Sequence, residues 1–120
     1  MRNEHEETWE RYVLAWKSTS MDTKRQACRE ALAADCVYTD PLMQTHGHDA
    51  LLEYMAQFHR QIPGGHFVTT YFLAHHDRCV ARWNMVAGDG SVLGDGISYG
   101  EFGDGGKLVA MTGFFEPPPS

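Results

Sequence analysis

The chain has 120 residues, with 16 acidic against 10 basic side chains and a formal net charge of -6. That balance argues against nucleic acid or anionic membrane as a partner, since both call for a basic face, and the length suits one domain with a core of its own. Cys28, Cys36 and Cys79 are odd in number and widely spaced with no Cys-x-x-Cys pair, so neither a disulfide framework nor a zinc knuckle is expected. They read as reduced thiols in the core. The opening residues are polar and acidic, and no apolar run approaches the ~20 residues of a membrane span. A cytoplasmic protein is expected.

Residues 4–18 read as a helix. Trp9, Tyr12, Val13 and Trp16 recur at i, i+3, i+4 and i+7, which makes one apolar stripe, and Glu4, Glu6 and Glu7 complement the helix dipole. Tyr12 therefore faces inward, either packed in the core with its hydroxyl bonded or donating that bond to a ligand. After a break with N-cap candidates at 18–22, residues 23–34 form a second helix. Its apolar side is Ala27, Cys28, Ala31 and Leu32, and Lys24, Arg25, Arg29 and Glu30 are its solvated side. The strand Cys-Val-Tyr-Thr-Asp-Pro follows at 36–41, built on Val37, Tyr38 and Thr39 and stopped by Pro41. Asp40 at its end is either a turn residue before proline or, if it points into an apolar pocket, a proton acceptor.

Residues 44–48 read as a polar loop. A third helix spans 49–62, with Leu51, Met55, Phe58 and Ile62 on one side and Pro63-Gly64-Gly65 as its stop. The period then changes to 2, and strands at 67–74, 79–87, 92–102 and 107–115 are separated by short turns rich in Gly and Asp, the pattern of consecutive antiparallel hairpins. Helices followed by a meander make an α+β domain.

Other polar residues read more simply. His75, His76 and Asp77 are consecutive in a hairpin turn, so their side chains point apart and no metal site is expected. His46 and His48 mark a polar turn and helix start. His59 borders the apolar face of the third helix, and Arg82 alternates with Trp83 on a strand.

Taken in order, Ala-Asp-Cys-Val-Tyr-Thr-Asp-Pro, Pro-Gly-Gly, Arg-Trp, Gly-Asp-Gly, Asp-Gly-Gly-Lys and Gly-Phe-Phe resemble the NTF2-like superfamily, in particular its SnoaL-like branch. The resemblance implies an NTF2-like cone. Three N-terminal helices would pack on a curved mixed or antiparallel sheet that encloses a pocket, with 1–116 as the single domain, 117–120 as a Pro-rich tail, and a homodimer as the frequent assembly. Because the superfamily holds ketosteroid isomerase, polyketide cyclases, dehydratases, epoxide hydrolases and binding modules, function has to be argued from the site.

Glu10-Arg-Tyr-Val13 matches the isomerase segment whose tyrosine donates to the substrate oxyanion, and Tyr38-Thr-Asp-Pro41 the segment whose aspartate shuttles the proton. The resemblance thus implies Tyr12 and Asp40 in those roles. It places Ser98, a weaker donor, where the isomerase has a protonated aspartate. Asp95, three residues away, faces the other side of a regular strand unless a bulge at Gly94-Asp-Gly96 reverses it.

The implied activity is that of an isomerase or cyclase with no cofactor and no metal, in which Asp40 removes a proton next to a carbonyl while Tyr12 and Ser98 face the developing enolate oxygen. Its substrate would be a small apolar molecule held by Trp16, Met55, Phe58, His59, Trp83, Met111 and Phe115. The alternative is a noncatalytic small-molecule-binding or dimerisation module.

Overall fold

The computed structural model describes residues 4–116; the expected tail at 117–120 lies outside them. Helix α1, Glu4–Lys17, buries Trp9, Tyr12 and Trp16 of the expected stripe, together with Ala15, while Val13 is half-buried. Helix α2, Met21–Ala31, starts at Ser20, whose hydroxyl accepts the Thr23 amide at 3.3 Å.

The solvated side expected for α2 needs one correction. Lys24 is only 2% exposed. Its ammonium donates to the Ala15 carbonyl at 3.1 Å and to Nδ1 of His59 at 2.6 Å, while Nε2 of His59 faces the Gly65 carbonyl at 3.1 Å. An acceptor at Nδ1 and a donor at Nε2 together specify the neutral imidazole. Lys24 thus ties the end of α1 to the end of the third helix.

Strand β1, Leu32–Asp40, begins where the second helix was expected to continue. Ala33 and Ala34 favour a helix, but pairing of Leu32 with Leu108 of the last strand prevails. Strand β2, Met43–His46, replaces the expected polar loop; it is an edge strand in which only Thr45 is buried, so it carries no alternating apolar signal. Helix α3, Gly47–Gln61, buries Leu51, Leu52 and Met55. The meander follows as β3 (His66–His75), β4 (Arg78–Val86), β5 (Val92–Phe102) and β6 (Leu108–Phe114).

The six strands lie in the order β2-β1-β6-β5-β4-β3. All neighbours are antiparallel except β1 and β6, which run parallel. The fold is therefore α+β, three helices on a mixed sheet, with α3 entering after the first two strands. The inner side holds the buried cluster, including Leu32, Leu51, Met55, Leu108 and Met111. Tyr71, Leu73, Ile97 and Phe114 are exposed. Among the described residues no helix is long and apolar enough to cross a membrane.

Cys28, Cys36 and Cys79 are buried thiols, as expected. Burial pushes them up to about 11, about 11 and about 12, against an ordinary 9.0. A raised thiol contributes stability in full below its unfolded value and loses it as pH climbs through its folded value. Burial pulls Lys24 down to about 8, which acts in the opposite sense between 8 and 10.5. Three thiols outweigh one lysine, and the raised hydroxyls of Tyr12 and Tyr38 add to their side. The melting temperature, followed by calorimetry, is expected to fall steadily from about pH 9 to about pH 11; a flat or rising profile would refute this account.

Candidate functional site

Asp40 is the last residue of β1 and is 9% exposed. Three donors surround its carboxylate. Tyr38, two residues earlier and so on the same face of the strand, donates its hydroxyl to Oδ2 at 2.7 Å. Tyr54 reaches the same oxygen from α3 at 2.8 Å, and the Leu42 amide, just past Pro41, donates to Oδ1 at 2.8 Å. A carboxylate offers about four acceptor positions. Both on Oδ2 are taken and one remains on Oδ1.

A cavity of about 590 Å³ adjoins this carboxylate. Its walls are a connected run of rings. Trp16 stands 5.7 Å from Tyr38, 5.9 Å from Tyr54, 5.6 Å from Phe58 and 5.4 Å from Phe67, centroid to centroid. Phe67 meets Trp83 at 5.0 Å, and Trp83 meets Phe115 at 6.2 Å. Edge contacts of this kind favour the ring quadrupoles and hold the walls rigid.

Two glycines make room for these groups. A β-carbon at Gly96 would lie 2.4 Å from the Trp83 ring, so that ring packs directly over the backbone of β5. A β-carbon at Gly113 would be 3.7 Å from Asp40 Cβ, 3.7 Å from Ser98 Oγ and 3.8 Å from the Tyr38 hydroxyl. Asp40, from β1, and Ser98, from β5, therefore converge across β6 with no side chain between them. Ser98 accepts the Trp83 indole N–H at 3.0 Å and keeps its own proton as a donor.

Tyr12, Asp40 and Ser98 all line the cavity, together with Trp16, Phe58, Trp83 and Phe115. Burial pushes the Tyr12 hydroxyl well above the usual tyrosine range, with the Trp16 side chain acting against it. Tyr38 and Tyr54 are raised too, chiefly by burial, with the Asp40 carboxylate and the hydrogen bonds to it acting in the same direction. All three are protonated donors at neutral pH.

Met55 and Met111 lie elsewhere, in the core at 0% and 1% exposure, and His59 is engaged by Lys24 and Gly65. Asp95 is exposed and meets the cavity at its edge. Pairing of β4 with β5 is unbroken from Arg78–Glu101 to Met85–Gly94, so no bulge turns Asp95 to the side of Ser98. Arg82 is exposed, and its neighbour Trp83 lines the cavity. His75 and His76 are exposed in the β3–β4 turn. Among the described residues no group of three or more His, Cys, Asp or Glu could hold a metal ion.

Sequence reasoning passed over Tyr54. It lies three residues after Leu51 and four before Phe58, the same helical spacing that turned Tyr12 inward.

The SnoaL-like domain model matches residues 9–111, and the chain belongs to that family. A candidate isomerase of the SnoaL-like family from Agrobacterium tumefaciens superposes with a TM-score of 0.87 at 23% identity, covering 95% of this chain and 98% of that one. A candidate SnoaL-like polyketide cyclase from Jannaschia gives 0.74 at 14% identity, covering 95% and 89%. A candidate ketosteroid isomerase from Kribbella flavida gives 0.69 at 20%, covering 98% and 84%. At these identities the likeness is one of fold. No curated protein matches the sequence.

The glycines give a paired prediction. Gly96→Ala drives its methyl into the Trp83 ring and the Phe114 carbonyl and is expected to cost about 1–3 kcal/mol by overpacking. Gly113→Ala meets only ordinary van der Waals contacts and is expected to be neutral or stabilising by up to about 1 kcal/mol. Urea midpoints read both; equal effects would mean that Trp83 does not lie over Gly96.

Proposed function

We propose that this protein moves a proton next to the carbonyl of a small apolar molecule, as an isomerase or cyclase, with Asp40 as the base. The observation that carries the reading is a buried carboxylate with one acceptor position left on Oδ1, beside an aromatic cavity that Tyr12 and Ser98 also line. In this reading Oδ1 takes the proton from the carbon next to the carbonyl. The electron pair moves onto the carbonyl oxygen, where the Tyr12 and Ser98 hydroxyls receive the growing charge. Return of the proton to another carbon completes an isomerisation; attack of the enolate carbon on a second carbonyl, whose oxygen then takes the proton back from Asp40, completes a cyclisation.

Tyr38 and Tyr54 hold the carboxylate in orientation throughout. The aromatic walls keep water from competing for the enolate. Structural relatives described as a candidate isomerase and a candidate polyketide cyclase support the same reaction class.

One observation favours a second reading. The Leu42 amide on Oδ1 is the bond a carboxylate makes when it caps a turn, which suits a noncatalytic module whose cavity only binds.

Deuterium exchange next to the carbonyl of β-tetralone in D₂O, followed by proton NMR, separates the two. Wild type is expected to accelerate exchange, Asp40→Asn to reduce the acceleration about 10²–10⁴-fold, and Tyr12→Phe about 10²-fold. If β-tetralone quenches tryptophan fluorescence and yet exchanges at the buffer rate, the binding reading stands. Undiminished exchange in Asp40→Asn would remove Asp40 from the role of base.

A further inference from the structure

Among the described residues the cavity is lined by no lysine, arginine or histidine; its charged residues are Asp40 within, and Asp95 and Glu116 at the exposed edge. The rest of the lining is aromatic, aliphatic, amide or hydroxyl. Asp40 itself is bonded to neutral groups, two hydroxyls and an amide.

Three cations of the helices are engaged elsewhere. Lys24 serves Ala15 and His59, Arg25 pairs with Asp49, and Arg60 pairs with Glu53. A buried charge is ordinarily paired with an opposite one, and here the lining offers the Asp40 carboxylate hydrogen bonds alone. Beside it the ring centroids of Trp16, Tyr38 and Tyr54 form a triangle with sides of 5.7, 5.9 and 5.9 Å, and such rings attract a cation through their quadrupoles. An anion in the same space meets the like charge of Asp40.

We infer that the chamber binds a protonated amine carried on a flat apolar ring system, with the ammonium on Oδ1 of Asp40 beside the Trp16, Tyr38 and Tyr54 rings. Ser98 Oγ, across Gly113, offers the ammonium a second acceptor. The inference shares the chamber with the proton transfer proposed above and does not depend on it. An amine seated there occupies the acceptor position that a base needs, so it competes with a ketone.

Three probes built on one bicycle test this: 2-aminotetralin, cationic at pH 7, tetralin, neutral, and tetralin-2-carboxylate, anionic. Affinities are read by calorimetry and tryptophan quenching. The amine is expected to bind at least about tenfold tighter than tetralin, and the carboxylate at least about tenfold weaker. In Asp40→Asn the preference for the amine should vanish while tetralin binds as before; in the Asp95→Asn, Glu116→Gln double variant the preference should persist.

The inference is overturned if the amine binds no tighter than tetralin, if the carboxylate binds as well as the amine, or if the double variant alone abolishes the preference. The wild-type series decides even where Asp40→Asn does not fold. Exchange of β-tetralone without an amine preference sinks this inference alone, and an amine preference without exchange sinks the proton transfer alone.

Discussion

A buried carboxylate sets the terms for this protein. Asp40 is withdrawn from water at the end of β1, and a charge in that position persists only where donors surround it. The donors come from three places: its own strand, the turn that follows, and α3. The bond from Tyr54 also fixes α3 against β1, and with it the angle at which that helix borders the cavity. Because Tyr38 and Tyr54 are held protonated, they act on Asp40 as donors and never as competing anions.

Around that point the aromatic side chains divide the space. Trp16 touches rings from β1, α3 and β3, so one indole from α1 joins three elements. Next to it, Lys24 bonds Ala15 and His59 and makes a polar clamp between the end of α1 and the end of α3. The first contact braces the chamber from within its wall, and the second braces it from behind. Gly96 and Gly113 supply what bulkier residues would take away, a seat for Trp83 and an unobstructed line between Asp40 and Ser98.

Much of this was legible in the sequence where a residue had to meet a periodic rule. The stripe through Trp9, Tyr12 and Trp16 turned Tyr12 inward, and the four hairpin strands followed from alternation and glycine turns. Thr39-Asp-Pro drew attention to Asp40, yet nothing local could say which side of the strand end it faced. The misses have physical causes. Leu32 and its alanines look helical in isolation and become strand only through Leu108, a partner far along the chain. The edge strand β2 buries a single threonine and so resembles a loop. Lys24 shares its charge with solvated neighbours, and only the positions of Ala15 and His59 reveal that it is buried. Tyr54 was within reach of the helical spacing and was passed over in favour of the more apolar line through Met55.

The parallel pairing of β1 with β6 bears on how the molecule assembles. Tyr38 lies opposite Met111, so this seam joins an early strand to the last one, and contacts so distant in sequence are entropically expensive and slow to form. The hairpins of β3 to β6 are local and can close first. Asp40 and Gly113 lie on the late seam, and Ser98 sits just across it. The chamber is therefore completed only when the two ends of the fold meet, and a chain still emerging from synthesis, with β6 unmade, has helices and hairpins but no site.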